Sequence, residues 1–336
     1  MHTQEHVTLA SYTTLKVGGP ARYLATVRDL TDLEAVSAFI ADQNLPYFIL
    51  GSGSNLLVTD KGFSGVVIKN EILGIDFQEK TENKVISEFG AGESLDAIVA
   101  KTTELNYWGL ENLSHIPGTI GATPVQNVGA YGVEVSSLIL GVRAYNLQTG
   151  EHRRFTNADC EFAYRESFFK TQAGREWIIT HVTFELQKNP NPILDYKDLS
   201  HLSAIPDINQ QDIRKTVIEV RSQKFPDWEQ VGTAGSFFKN PIVSTEQALA
   251  LQSQYPELPV YQISPDQSKV SLGYILDKVC GLKGFTRGNV SLYQNQALVL
   301  VQTGDSAADV QDFISHVSKI VADKTGIIIE QEVRTV

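Results

Sequence analysis

The chain has 336 residues, 42% hydrophobic and 20% charged, enough for two or three domains with real cores and too apolar for a disordered protein. Its net charge of −11 excludes a general nucleic-acid binder, whose affinity rests on neutralising phosphates, but leaves room for a local basic pocket. Only two cysteines occur, Cys160 and Cys280; they form no disulfide framework or cysteine zinc site, no apolar run approaches the roughly 18 residues of a membrane span, and MHTQEHVTLASYTTLKVGG lacks a signal-peptide core, so a reducing cytoplasm is expected.

In chain order, ARYLATV (21–27) reads as a strand and LTDLEAVSAFIADQN (30–44) as an amphipathic helix with Leu33, Val36, Phe39 and Ile40 on one face. PYFIL (46–50) is a short buried strand running into GSGSN (51–55), with two more strands in LLVTD and GVVIKN. This is an α+β or α/β beginning. KVISEFGAG predicts a strand, and ESLDAIVAKTTELN a helix capped near Glu93 or Ser94. A long uncharged segment, IPGTIGATPVQNVGAYGV (116–133), follows. Strands are expected in LILGVRAYNL, HRRFT and EWIITHVTFEL, then a loop in KNPNPILDYKDL (188–199) and a helix in DIRKTVIEVRSQK (212–224). FPDWEQVGTAG (225–235) has linker composition. Beyond it, EQALALQSQY, SLGYILDKVCGLKG and SAADVQDFISHVSKIVADKTG (306–326) predict helices, with Tyr274, Ile275 and Val279 as core. QALVLVQ (296–302) and IIIEQEVR predict strands, and the best single boundary lies near residue 225.

Several chemistries lose their signatures. The chain has no G-K-[ST], no H-E-x-x-H and no G-x-S-x-G, against P-loop, zincin and α/β-hydrolase chemistry. GSGSN follows a strand, so consecutive N–H groups there can cradle a phosphate. A tight strand-to-strand turn fits it equally, because Leu56 replaces the third glycine of a dinucleotide fingerprint and LLV is no helix start. The 116–133 segment carries Gly118, Gly121, Gly129 and Gly132 without one charge. Such a loop lies against a flat bound group or is a buried loop. In FAYRES (162–167), Tyr164 and Arg165 form either a carboxylate or phosphate clamp or a surface strand with an ion pair. Arg221 and Lys224, three apart, read as a solvated helix face. Glu332 and Arg334 fall on one side of a terminal strand.

GSGSN, IPGTIGATPVQNVGAYG, FAYRES, AGSFFKNP (234–241) and a terminal E-V-R, in that order, together resemble the UDP-N-acetylenolpyruvoylglucosamine reductase family, over nearly the whole chain. LDYKDL and the Q-N-x-G-A-Y-G wording look like its type I branch. The family often reads E-P-E-V-R at its end; here Gln331 stands in the proline's place.

The resemblance implies an α+β fold: an FAD-binding fold of the PCMH type, shared with vanillyl-alcohol oxidase, in two subdomains (1–70 and 71–225). It further implies a separate α+β substrate-binding domain (226–326) and a C-terminal strand (327–336) returning to the FAD-binding region. It implies FAD held by Gly51, Ser52, Gly53, Ser54, Asn55, Pro117, Gly118, Thr119, Gly121, Ala122, Gln126, Asn127, Gly129 and Ala130. NADPH would reduce the flavin, which would then pass hydride from N5 to C3 of the enolpyruvyl group of a UDP-sugar. Ser236 would be the proton donor to C2, Arg165 the clamp on the enolpyruvyl carboxylate, and Glu332 a protonated carboxyl donating a hydrogen bond to the forming enolate. Tyr164, Tyr196, Lys224, Asn240 and Gln296 would contact substrate, with Phe237 and Phe238 packing or excluding water. No metal, membrane or nucleic acid is implied, and a monomer is the default. The alternatives are an oxidase of the same fold acting on another alcohol, and a nucleotide-sugar binding protein that has lost catalysis.

Overall fold

Asp29 takes the Asp32 N–H at 2.9 Å and starts the helix Leu30–Gln43, which ends at Asn44 in a left-handed conformation (φ 48). The helix buries Leu33, Val36 and Ile40 among Ala25, Val27, Val66 and Ile68. Phe39, the fourth residue of the expected face, is half-buried with its ring edge-on to Tyr23, centroids 5.2 Å apart. The computed structural model describes every residue except Lys80. It divides into two units: Met1–Val7, Ala21–Ser52 and Ser64–Arg221 in the first, Thr8–Pro20, Gly53–Phe63 and Ser222–Val336 in the second.

In the first unit, one four-stranded sheet runs in the order His2–Thr8, Pro20–Val27, Phe63–Asn70, Tyr47–Leu50. Tyr47–Leu50 lies parallel to Phe63–Asn70, with Tyr47 opposite Val66. His2–Thr8 was not expected from the sequence: HTQEHVT is mostly exposed and polar and has no apolar alternation to reveal an edge strand. A five-stranded antiparallel sheet has the order His152–Thr156, Ile139–Asn146, Trp177–Gln187, Lys84–Gly90, Ile75–Glu79. Four of its strands, all but Ile75–Glu79, are those the sequence predicts. Ile75–Glu79 is another edge strand the sequence reading missed, its alternation resting on Ile75 and Phe77 alone. The helix Leu95–Glu104 covers this sheet with Leu95, Ile98 and Val99, capped by Ser94 Oγ, which accepts from the Ala97 N–H at 3.4 Å. The helix Gln210–Lys224 starts two residues before its predicted start. It places Ile213 and Val217 in a small core with Trp108, Tyr131, Leu199 and Leu202.

The second unit is assembled from three stretches. Leu15, Val17 and Leu57 join Phe237, Phe238, Leu300, Phe313 and Ile314 in one core. Its four-stranded sheet has the order Gly232–Ser236, Val299–Gln302, Val290–Leu292, Thr286–Arg287, and a three-stranded sheet the order Ile242–Ser244, Gln267–Val270, Val260–Gln262. The helix Ala307–Thr325 starts on two caps: Ser306 Oγ accepts from Asp309 N–H at 3.1 Å, and Asp60 accepts from Ala307 and Ala308 N–H at 2.7 and 2.9 Å.

The helix expected over 271–284 is a single α-turn, Leu272–Tyr274, continued as a π-helix, Ile275–Val279. The strand expected over 327–334 is reduced to Arg334–Thr335, parallel to Leu56–Leu57. LLVTD likewise yields only Leu56–Leu57. Among the described residues, no helix is long and apolar enough to cross a membrane.

Candidate functional site

The uncharged loop is built onto the first unit by its own backbone. Gly118 O accepts from Leu95 N–H at 3.1 Å, Ile120 N–H donates to Glu93 O at 2.8 Å, and Gly121 N–H donates to Ala91 O at 2.9 Å. A side chain at Gly121 would meet the Ala91 Cβ at 2.6 Å, and one at Gly51 would meet Thr119 Oγ1 at 2.6 Å. The glycines are therefore required where strand end and loop touch. Ile120, Thr123 and Pro124 are buried, whereas residues 116–119 and 128–130 are only half-buried. This segment is thus not the buried loop that its lack of charge allowed. Its half-buried stretches, IPGT and VGA, present uncharged side chains and backbone.

FAYRES is not a strand. Ala163 and Glu166 bond to each other across a tight turn, and Arg165 sits at its tip with φ 56. From there its guanidinium donates to Gly129 O at 3.0 Å and lies 5.4 Å from the Tyr164 ring centroid. Asn127, itself at φ 40, donates from Nδ2 to Ala163 O at 3.0 Å and accepts at Oδ1 from Ser136 N–H at 3.2 Å. Bulky residues in left-handed conformations are costly and persist where surrounding contacts impose them. Here the contacts fix the guanidinium against the loop that carries Gln126, Asn127, Gly129 and Ala130. Tyr196 is exposed on the 188–199 loop, its ring edge-on to Tyr131 at 5.2 Å between centroids.

In the second unit, Ser236 closes the strand Gly232–Ser236. Register slips between Thr233 and Ser236, where Gly235 takes φ 70. This is a bulge, a device that re-aims the next side chain. Thr233 holds it from inside, donating to Leu300 O at 2.8 Å while accepting from Gly235 N–H at 3.2 Å. Ser236 is half-buried, and Phe237 and Phe238 are fully buried core residues packed edge to face. They anchor the strand rather than line a wall.

Backbone hydrogen bonds on either side of Ser236 tie its strand to the GSGSN turn and to the Glu332 segment. Thr233 N–H donates to Thr14 O at 2.9 Å and Thr14 N–H to Gly53 O at 3.2 Å. Asn55 O accepts from Arg334 N–H at 3.1 Å, and Glu332 N–H donates to Phe237 O at 2.9 Å. Gly53 has φ 68, and a side chain there would strike Tyr12 O at 2.0 Å. The 331 position is the bridge partner of Phe238, but the bonds beside it use Glu332 N–H and Glu330 O. Neither bond uses the Gln331 N–H, the donor that a proline lacks. Asn240 Oδ1 accepts from Leu272 N–H at 3.0 Å, and Gln296 Oε1 lies 3.4 Å from where a Gly273 side chain would begin. Asn240 and Gln296 thus meet at one helix start. Lys224 is the last residue of the helix Gln210–Lys224.

Two residues escaped the sequence reading. Thr14 Oγ1 is buried beside the turn with no hydrogen-bond partner, the kind of orphan a bound polar group satisfies. Arg221, expected on a solvated face, donates from Nε to His115 O at 2.9 Å. Burial pushes its guanidinium pKa down, opposed by the Tyr131 hydroxyl and Asp96. The only signals for them were a hydroxyl pair in SYTTL and an arginine one turn before Lys224.

These features define an FAD-binding oxidoreductase of the α+β class. Residues 21–156 match the family model of an FAD binding domain, and residues 226–336 match that of the UDP-N-acetylenolpyruvoylglucosamine reductase C-terminal domain. The UDP-N-acetylenolpyruvoylglucosamine reductase of Photobacterium profundum is 39% identical over 335 residues, covering 99% of this chain and 96% of that one. The same-named protein of Porphyromonas gingivalis is 42% identical over 288 residues, 85% of each. In fold, the crystal structure of UDP-N-acetylenolpyruvylglucosamine reductase from Thermus caldophilus has a TM-score of 0.70 at 24% identity, covering 100% of this chain and 99% of that one. The chain belongs to the UDP-N-acetylenolpyruvoylglucosamine reductase family.

Proposed function

We propose that the protein reduces UDP-N-acetylglucosamine enolpyruvate to UDP-N-acetylmuramate in the cytoplasm, with NADPH as reductant, for peptidoglycan precursor synthesis. Family membership supports the reaction, and the hydrogen bonds that hold the backbone beside Ser236 and at Glu332 to the GSGSN turn are the observation that supports the assignment of roles. The site residues fit FAD. Gly51 and Gly53 leave room only for backbone at the turn, Thr14 Oγ1 is an unsatisfied buried donor and acceptor, and the half-buried 116–130 stretch offers uncharged backbone. Gly51 to Asn55, with Pro117, Gly118, Thr119, Gly121, Ala122, Gln126, Asn127, Gly129 and Ala130, would hold FAD around its pyrophosphate and isoalloxazine. When bound, FAD would supply the hydride that the enol ether receives, with NADPH as the source of reducing equivalents.

The chain supplies charge stabilisation and the proton. Arg165 binds the enolpyruvyl carboxylate, where negative charge grows in the transition state. Glu332 donates a hydrogen bond to the same enolate. Ser236 Oγ gives its proton to C2, forming the C–H bond of the lactyl ether, and regains a proton from solvent. Tyr164, Tyr196, Lys224, Asn240 and Gln296 orient the sugar nucleotide, with Tyr196 on the loop that marks the type I branch. In this reading, residues 1–70 and 71–225 form the FAD-binding subdomains, 226–326 the substrate domain and 327–336 the returning strand, in a monomer.

The test is the visible spectrum of the purified protein. NADPH bleaches the flavin bands, and UDP-N-acetylglucosamine enolpyruvate restores them under anaerobic conditions. A yellow protein restored by oxygen but not by the enolpyruvyl sugar would overturn the reading in favour of an oxidase, and a colourless one in favour of a binding protein.

A further inference from the structure

Arg221 grips both ends of the uncharged loop. Its Nε donates to His115 O at 2.9 Å, immediately before the loop, and its guanidinium meets the hydroxyl of Tyr131 near the loop's end. Both gripped residues have left-handed backbones, His115 with φ 58 and Tyr131 with φ 48. Neither is a glycine, so each conformation needs an outside contact to persist. The hydroxyl of Tyr131 is pushed up to about 12 by burial, with Arg221 opposing, so it stays a neutral hydrogen-bonding group throughout the working pH range.

The grip reaches a second loop. Tyr131 is only 7% exposed and forms the platform on which the Tyr196 ring stands. Asn112 Nδ2 donates to Tyr131 O at 2.8 Å and to Ile193 O at 2.9 Å, so one amide fastens the 116–133 and 188–199 loops together. Beneath them Leu199 and Leu202 pack on Ile213 and Val217 of the helix that carries Arg221. Around this group, Asp96 is engaged by Arg214 at 2.6 and 3.0 Å and by the His115 N–H at 2.5 Å, which orients His115 from its other side.

We infer that Arg221 is a positioning residue that sets two loops at once: the one assigned to FAD and the one carrying Tyr196. It acts through His115 and Tyr131. The inference rests on the proposed assignment of those loops to cofactor and sugar nucleotide. It predicts that losing the guanidinium loosens both loops together.

The experiment uses full-length, FAD-loaded protein with Arg221→Met, Arg221→Lys and Tyr131→Phe. Limited trypsinolysis after the exposed Lys197 reports the 188–199 loop without any substrate, read by mass spectrometry. Arg221→Met is expected to raise that cleavage about tenfold and the KM for the enolpyruvyl sugar about tenfold, with a smaller fall in kcat. Arg221→Lys is expected to recover part of both. Tyr131→Phe keeps the ring under Tyr196 but drops the hydroxyl, so cleavage should rise about threefold. Cleavage and KM within twofold of wild type in a folded Arg221→Met protein would overturn the inference. If that variant does not fold, unchanged cleavage in Tyr131→Phe overturns it. Loop cleavage that responds in a protein inactive on the enolpyruvyl sugar would uphold the positioning role and reject the substrate instead.

Discussion

Asn55 and Glu332, 277 residues apart, are joined by a hydrogen bond from Asn55 Nδ2 to the Glu332 carbonyl at 3.3 Å. The Asn55 carbonyl receives the Arg334 N–H, so one residue of the GSGSN turn fixes the backbone on both sides of Val333. Glu332 is thereby aimed by the turn rather than by a regular strand. Asn55→Ala removes the side-chain bond. We expect it to slow reoxidation of reduced flavin by the enolpyruvyl sugar about tenfold while NADPH-driven reduction changes less, both read by stopped-flow absorbance.

Ser236→Ala is expected to leave flavin reduction by NADPH near the wild-type rate. The second half should slow by roughly 10²–10⁴, the usual contribution of a positioned proton donor. Stopped flow separates the halves. Equal slowing of both would remove Ser236 from proton transfer and leave it a structural residue of the bulge.

Arg165→Ala removes a charge-assisted donor to the enolate, worth about 10²–10³ in rate when such a donor is lost. Its hydrogen bond to Gly129 O also goes, so FAD retention should weaken. Turnover reduced by less than about fivefold would leave Arg165 only the role of bracing the 127–130 turn.

Gly53→Ala forces a Cβ into a left-handed position 2.0 Å from Tyr12 O. The conformation alone costs roughly 1–2 kcal/mol, before the clash. A denaturant midpoint lowered in both FAD-loaded and FAD-free protein is the expected outcome; loss only in the loaded form would make Gly53 a cofactor contact without a backbone role.

Two acidic groups give opposite pH signatures. Burial raises Glu111 above the usual carboxylate range, against the pull of the Gly109 N–H. A raised acid favours the folded state at low pH, and that stability is lost as pH rises through the folded value. Glu111→Gln should therefore raise the melting temperature at pH 8 and leave it nearly unchanged at pH 4. At Asp96, burial alone would raise the carboxyl, but Arg214 and the His115 N–H hold it below the usual range. Its stability is present at neutral pH and lost as pH falls. Asp96→Asn should cost about 1.5–3 kcal/mol at pH 7, as for a hydrogen bond to a charged group, with the difference shrinking as pH falls below the usual carboxylate range.

The sequence made legible what has an apolar period or a cap. Leu33, Val36 and Ile40, Ser94 before its helix, and the alternating strands of the five-stranded sheet all carry their geometry in local pattern. The edge strand His2–Thr8 stayed hidden because a polar edge lacks that alternation, and Ile75–Glu79 because its alternation rests on two apolar residues alone, Ile75 and Phe77. The π-helix stayed hidden because hydrophobic spacing does not register one inserted residue. At the candidate site, motif order brought out Ser236, Arg165 and Glu332 as residue types. The bulge at Gly235, the turn at Arg165 and the buried contacts of Arg221 depend on partners distant in sequence, which no local window contains.

The second unit's interleaved construction has a consequence for how the protein comes into being. Thr8–Pro20 and Gly53–Phe63 are made early, yet Leu15, Val17 and Leu57 belong to a core whose other members run from Phe237 to Val333. Contacts so distant along the chain close slowly. Biogenesis must therefore keep these early apolar residues from misassociating until the last stretch arrives. A gene piece encoding Ser222–Val336 alone would be born without part of its interior and without Leu56–Leu57, the strand on which its own terminus, Arg334–Thr335, is meant to lie.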